Sequence, residues 1–234
     1  MKITRIIPFL AVTACLSFGS SAINADNDNV TIAANTQQSS EDAAEELGQR
    51  ASVRYANELF HNANDPTGGN ANGTIAIVEF FDFRCGHCIR MFSVLQGLMK
   101  KNPNLKIIYK NYPVLGPESE LAARAALAAN IQGKYMIYQA MLFGSDISSS
   151  SVFAMAKEVG LDIPKLKNDM NSEQVERAIN ATSKLADNMG IGGTPAFIIA
   201  KSDLTTHSSP SDVVFYPGEI SMGDLQQAID KITH

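Results

Sequence analysis

Tryptophan is absent from the 234 residues, and cysteine occurs only three times. Three cysteines cannot build the dense disulfide framework that holds small secreted domains together. Beyond the N-terminal segment, no apolar run reaches the roughly 20 residues needed to cross a bilayer as a helix. Charged residues make up only 18% of the chain, the formal net charge is −5, and no Lys/Arg stripe runs along any segment. A nucleic-acid-binding surface is therefore not expected. The four histidines (His61, His87, His207 and His234) lack metal-ligand spacing, and there is no second Cys pair, so a structural zinc site would be incomplete. There is no internal repeat. What remains is a chain of ordinary globular composition, 45% hydrophobic, long enough for one domain with embellishments.

Residues 1–25 read as an export signal. Lys2 and Arg5 form a positive start, Ile6 to Phe18 an apolar stretch, and Ala22 and Ala25 offer small residues before a cleavage point. Cys15 allows a second reading, because Val12-Thr13-Ala14-Cys15 resembles a lipoprotein processing box. The apolar run continues past it through Leu16 and Phe18, which favours ordinary cleavage and a periplasmic location over a lipid anchor. Either way Cys85 and Cys88 remain as the intramolecular pair. Two cysteines so close in sequence close almost no loop and stabilise little as a staple, which points to redox work.

Residues 26–40 form a polar leader, and a helical pattern from Ser40-Glu41-Asp42 to about His61 follows. This helix either packs on the catalytic domain or dimerises with a second copy through residues 41–61. Asn62 to Asn70 reads as a turn region. The catalytic domain is expected over 66–234. Thr74 to Phe81 is a nearly continuous apolar run and predicts a strand buried on both faces. A helix to Lys101 and a strand from Leu105 to Tyr109 complete a strand–helix–strand unit. Residues from about 116 to 190 are helical in pattern, with Ser172 as N-cap of the last helix, whose Val175, Ile179, Leu185 and Met189 form one apolar stripe. Strands at Ala196 to Ala200 and Val213 to Tyr216 and a final helix at Met222 to Ile232 close the chain. The order describes an α/β domain with a helical insertion and an N-terminal helical extension.

Cys85-Gly86-His87-Cys88 lies directly between the buried strand and the next helix. Cys85 then sits at a helix N-terminus, where free N–H groups and the helix dipole favour a thiolate. His87, between the two sulfurs, can add a hydrogen bond or positive charge. Glu79 stands six residues before Cys85 among Ile77, Val78, Phe80 and Phe81, and a carboxylate buried there could exchange protons with Cys88. Gly192-Gly193-Thr194-Pro195 precedes the third predicted strand.

Phe80-Phe81-Asp82-Phe83-Arg84-Cys85-Gly86-His87-Cys88 after Glu79, together with Gly190 to Phe197, resembles the DsbA family of thioredoxin-fold proteins. The resemblance extends over about residues 70–232. It implies a thioredoxin-like core with a helical insertion and a cis Thr194–Pro195 bond facing the cysteines and offering backbone to a substrate strand. It further implies Cys85 as nucleophile, Cys88 as buried resolving thiol, His87 as a stabiliser of the Cys85 thiolate, and Glu79 as the buried acid. A weaker placement puts Lys110 beside Glu79, against the plainer reading of a surface lysine at a strand end. Two positions depart from DsbA itself. Gly-His replaces Pro-His between the cysteines, as in eukaryotic protein disulfide isomerases, and Thr194 replaces Val before the proline, as in periplasmic isomerases.

The expected function is therefore disulfide formation or isomerisation in exported, cysteine-containing proteins, with a membrane redox partner and no cofactor. The alternative is a non-enzymatic module holding a soft ion such as Cu(I) with Cys85, Cys88 and His87. Met91 could join such a set, although its place on the helix stripe fits a core residue better.

Overall fold

The computed structural model describes residues 42–233. The signal segment 1–25 with Cys15 and the polar leader 26–40 lie outside the described residues.

A five-stranded sheet in the order β1-β3-β2-β4-β5 forms the centre. Strand β1 is Thr67–Gly69, β2 is Ile75–Phe81, β3 is Leu105–Asn111, β4 is Ala196–Lys201 and β5 is Val213–Tyr216. Strand β2 is buried at all seven positions, as its apolar sequence predicts. It runs parallel to β3 and antiparallel to β4, and β5 pairs antiparallel with β4. The thioredoxin-like arrangement implied by the resemblance is thus present.

Strand β1 overturns the reading of residues 62–70 as turn alone. Thr67 to Gly69 pairs antiparallel with β3 at the sheet edge. Two consecutive glycines looked like turn residues, but here they permit close approach. A Cβ on Gly69 would stand 2.4 Å from the Leu105 carbonyl oxygen, and its φ of +70° suits glycine.

The pleat sends alternate residues of β2 to two cores. Ile75, Ile77 and Phe81 join Leu95, Leu98, Tyr109, Phe197, Leu225 and Ile229 on one face. Helices α3 (Gly86–Lys101) and α9 (Met222–Thr233) cover that face. Ala76, Val78 and Phe80 point the other way, to Leu59, Phe60, Leu185 and Phe215.

The N-terminal extension forms α1, over 42–54, and α2, Ala56–Phe60, with a turn at Tyr55. Of its two expected uses, the structure shows packing on the sheet. Val53, Ala56, Leu59 and Phe60 are buried against the sheet, and full burial of a side chain such as Leu59 contributes about 1.5–3 kcal/mol. Leu47, 68% exposed, is the one exposed large hydrophobic residue among the described residues of this extension.

The helical insertion comprises α4 (Pro117–Ile131), α5 (Tyr135–Leu142), α6 (Ser149–Glu158), α7 (Ile163–Met170) and α8 (Glu173–Met189). Six buried alanines let α4 take the central position, packed by all four other helices. Ser172 caps α8 by accepting from the Val175 N–H, and Val175, Ile179, Leu185 and Met189 are buried as the stripe predicted.

Candidate active site

Cys85 is the N-cap residue of α3, directly after the buried strand, so the fold places it where the sequence reading did. Its thiol donates to the Thr194 carbonyl oxygen at 3.2 Å, across 109 residues of chain. The Thr194–Pro195 peptide bond is cis, as the resemblance implied. Cys85 keeps 7% of its surface exposed, whereas Cys88 is fully buried. Both are free thiols. Burial pushes the Cys88 thiol well above its ordinary range, and the charge of nearby Glu79 acts in the same direction. A backbone hydrogen bond at Asp82 and a side-chain one with Thr194 oppose it without reversing it. The two sulfurs are therefore unequal, and Cys85 is the more accessible.

Glu79 is 1% exposed and lies on the same face of β2 as Ile77 and Phe81. Desolvation, followed by the charge of Cys85, raises its pKa to about 8. Its Oε1 has no hydrogen-bond partner among the described residues. The site thus holds a carboxyl that can carry a proton near neutral pH, within electrostatic reach of both cysteines.

Lys110 does not join Glu79. Neighbouring residues of a strand point to opposite faces, and Glu79 pairs in register with Tyr109 while Lys110 faces Phe80. Nor is Lys110 a surface lysine. It is 3% exposed, pairs with the Asp65 carboxylate, and donates to the Glu58 carbonyl at 2.6 Å. It ties β3 to the N-terminal extension.

His87 is on the exposed side of the motif, and its Nδ1 lies 2.6 Å from Glu219 Oε2. Arg90 makes a two-pronged contact with the same carboxylate, Nε to Oε1 at 2.8 Å and Nη2 to Oε2 at 2.6 Å. These donors, Arg90 before His87, hold the Glu219 carboxyl down to about 2. Sequence reasoning missed both partners. Arg90 is three residues from His87 on the same helix and could have been noticed. Glu219 comes from the loop after β5, and no local pattern marks it.

Asp82 was also missed as a site residue. Buried at 1% exposure, its carboxylate accepts from the backbone N–H groups of Arg84 (2.8 Å), Val114 (2.8 Å) and Leu115 (3.0 Å) and from the Ser119 hydroxyl (2.8 Å). An acidic residue between Phe81 and Phe83 was the available signal. Asp82 joins the cysteine loop to the β3–α4 loop, where Val114 and Leu115 remain exposed. Phe81, Phe83 and Phe92 pack around Phe143 of the insertion, with ring centroids 4.9–5.3 Å apart.

The described residues contain no group of three or more His, Cys, Asp or Glu side chains placed to hold a metal ion. Met91 is 1% exposed in the core, as its place on the helix stripe suggested.

Residues 76–230 match the DSBA-like thioredoxin domain. A thioredoxin-like oxidoreductase from Silicibacter pomeroyi DSS-3 is 36% identical, with a TM-score of 0.67, over 76% of this chain and 96% of that one. The thiol–disulfide exchange protein alpha-DsbA2 from Wolbachia pipientis is 25% identical, with a TM-score of 0.68, over 90% of this chain and all of that one. A curated Na(+)/H(+) antiporter NhaA 1 from Mycolicibacterium gilvum is 25% identical over 142 residues, and the match spans 23% of its length.

Proposed function

Because the chain belongs to the DSBA-like thioredoxin domain family, we propose that it is an exported thiol–disulfide oxidoreductase that forms or reshuffles disulfides in secreted or envelope proteins. The observation that carries this reading is the asymmetric pair: Cys85 at a helix N-terminus and bonded to the Thr194 carbonyl, with Cys88 fully buried behind it. In the oxidising direction, a substrate thiolate attacks Cys85 Sγ of the Cys85–Cys88 disulfide, and Cys88 leaves as a thiolate that takes a proton. Glu79 is the group proposed to supply that proton. A second substrate thiolate then attacks the mixed disulfide, which leaves the substrate oxidised and Cys85 reduced.

Isomerisation runs from the reduced enzyme, with the Cys85 thiolate attacking a substrate disulfide. Gly86 and Thr194 favour adding this activity to oxidation. Thr194 and Pro195 form the proposed backbone surface for a substrate strand, and exposed Val114 and Leu115, with Arg84 Nη1 on the Leu115 carbonyl at 2.9 Å, offer an apolar edge to it. The proposed partners are cysteine-containing exported proteins and a membrane redox protein that resets the pair. Self-association through residues 41–61 would have to use Leu47 and the polar face of the extension, since the rest of its apolar side packs on the sheet. Light scattering that gives a monomer mass would end the dimer reading.

Reactivation of scrambled ribonuclease in a glutathione buffer, with Cys85→Ser as control, tests the main proposal. Cys85-dependent reactivation supports isomerase activity. Rapid Cys85-dependent oxidation of a reduced peptide without reactivation supports an oxidase. Neither activity, from a protein shown to be folded, would overturn the reading.

A further inference from the structure

Three features outside the redox mechanism invite a role: the Lys110–Asp65 pair, the exposed Val114–Leu115 edge, and the cluster of Glu219, Arg90 and His87. The third goes furthest, because it touches the motif itself. We propose that Glu219 is a positioning residue for thiol–disulfide exchange, acting chiefly through His87: its carboxylate binds His87 Nδ1 and Arg90 together and holds both side chains against the motif that carries the reactive cysteine. The proposal deepens the preceding one and rests on Cys85 as the nucleophile.

The geometry at Nδ1 admits two arrangements. A carboxylate oxygen at 2.6 Å requires Nδ1 to carry a hydrogen, because two lone pairs would repel at that distance. Arg90 Nη2, 2.8 Å from the same nitrogen, could instead donate to an unprotonated Nδ1. Glu219 decides between them, since it accepts from both groups at once. With Glu219 present, the ring is a donor on that side. Without it, the guanidinium beside Nδ1 favours the bare lone pair on that nitrogen, the hydrogen moves to Nε2, and the ring is no longer held at Nδ1.

The arrangement is anchored from a distance. Glu219 contacts His87 across 132 positions of chain, from a loop in which the preceding Gly218 has φ +155°, a value that L side chains rarely adopt. Arg90 Nη1 would lie 3.8 Å from a Cβ placed on Gly86, so the guanidinium covers the first residue between the cysteines. Arg90 is also within electrostatic reach of Cys85. All three side chains are substantially exposed, at 61% for His87, 57% for Arg90 and 34% for Glu219. Exposed pairs contribute little to folding. The effect of Glu219 therefore belongs to the reactivity of Cys85, and its removal leaves the fold intact.

The direction follows from the charges. Arg90 neutralises Glu219 through the two-pronged contact, so direct repulsion between Glu219 and the Cys85 thiolate is offset. What disappears in Glu219→Ala is the fixed position of His87 and Arg90 against the motif. Cys85 should react more slowly. In the alkylation used as readout, Cys85 loses its proton to solvent, the thiolate forms a carbon–sulfur bond to iodoacetamide, and iodide leaves.

The test is a double-mutant cycle on the fully reduced, full-length mature protein, with Glu219→Ala, His87→Ala and the double variant. The rate of Cys85 alkylation is followed from pH 5 to 9, and the modified residue is assigned by mass spectrometry. Glu219→Ala should slow alkylation at pH 6 by roughly threefold to fivefold, the size expected of a charge-assisted contact at an exposed site. In the His87→Ala background its effect should be smaller, limited to the share that acts through Arg90. Glu219→Gln, which keeps an acceptor for Nδ1–H, should recover part of the loss. Nitrogen-15 shifts of His87 should show the hydrogen on Nδ1 in the wild type and less of it there in Glu219→Ala. Equal effects of Glu219→Ala in both backgrounds, acceleration, or no effect in either would overturn the proposal. A wild type whose Cys85 reacts no faster than Cys88 would instead overturn the assignment of Cys85 on which it rests.

Discussion

Glu79 and Tyr109 are register partners on the parallel strands β2 and β3, and each has a buried side-chain oxygen without a hydrogen-bond partner among the described residues. Buried polar atoms in that condition are costly, and they are retained where chemistry uses them. With its pKa raised from 4.5 to about 8, Glu79 is protonated in the folded state over a range in which it is ionised in the unfolded chain. The folded state therefore binds the extra proton. Stability associated with Glu79 is complete below about pH 4.5 and is lost as pH rises towards 8, above which no further change is due to this group. Glu79→Gln should remove that decline and raise stability at pH 9 by an amount of order 2–4 kcal/mol. Urea unfolding at pH 5, 7 and 9 measures it. A wild type and variant that stay parallel across this range would refute a buried, proton-holding Glu79. The same variant should slow release of the Cys88 thiolate during disulfide exchange.

The two thiols should separate cleanly in reactivity. Cys88 is fully buried and its thiol is pushed upward by that burial, while Cys85 keeps an exposed edge. Iodoacetamide applied to the reduced native protein at pH 8 should label Cys85 at least ~100-fold faster than Cys88, because both thiolate population and access favour it. Cys88→Ala should then accumulate mixed disulfides with substrate through Cys85, visible as adducts on non-reducing gels. Comparable labelling of both cysteines would contradict the assigned roles.

Much of the fold was legible because its elements are locally consistent. The apolar run at Ile75–Phe81, the Ser172 cap and the stripe on α8 each carry their own signal. The placement of the proposed site was legible where sequence neighbours supply it, as with Cys85 and Cys88 at the start of α3, or where a short motif marks a distant loop, as with Thr194 and Pro195. Strand β1 was hidden because glycine serves turns and close backbone approach equally well, and only the Leu105 carbonyl at the neighbouring strand decides between them. Lys110 was misplaced because a one-residue shift along β3 exchanges one sheet face for the other. Glu219 was invisible because its partner lies on another element and the loop carries no pattern.

The Lys110–Asp65 pair should be structural, and strongly so. Burial raises the Asp65 carboxyl above its ordinary value, and the charge and hydrogen bond of Lys110 oppose that rise without cancelling it, so the lysine is the main group favouring the ionised carboxylate there. Lys110→Met leaves Asp65 without its counter-charge in a nearly dry site and should cost about 3 kcal/mol. Adding Asp65→Asn to that variant should recover most of the loss, since the uncompensated charge is then gone. Chemical denaturation of the two single variants and the double variant checks this. Single-variant losses that simply add in the double variant would show that the pair does not act as a unit.

Asp82 makes a different prediction, because its four hydrogen bonds join two loops that meet at the redox motif. Asp82→Ala would leave three part-buried backbone N–H groups and the buried Ser119 hydroxyl without their acceptor, and a buried donor left unpaired costs more than an average hydrogen bond contributes. A loss of about 3 kcal/mol or more is expected. Asp82→Asn keeps one acceptor oxygen and should lose less. The local consequence is the sharper test. Releasing Val114 and Leu115 should raise amide hydrogen exchange in the β3–α4 loop and at Arg84 before it changes exchange in β2, whose hydrogen bonds lie within the sheet. Faster exchange spread evenly over β2, β3 and β4 would mean that Asp82 supports the whole sheet and not the junction between the motif and its neighbouring loop.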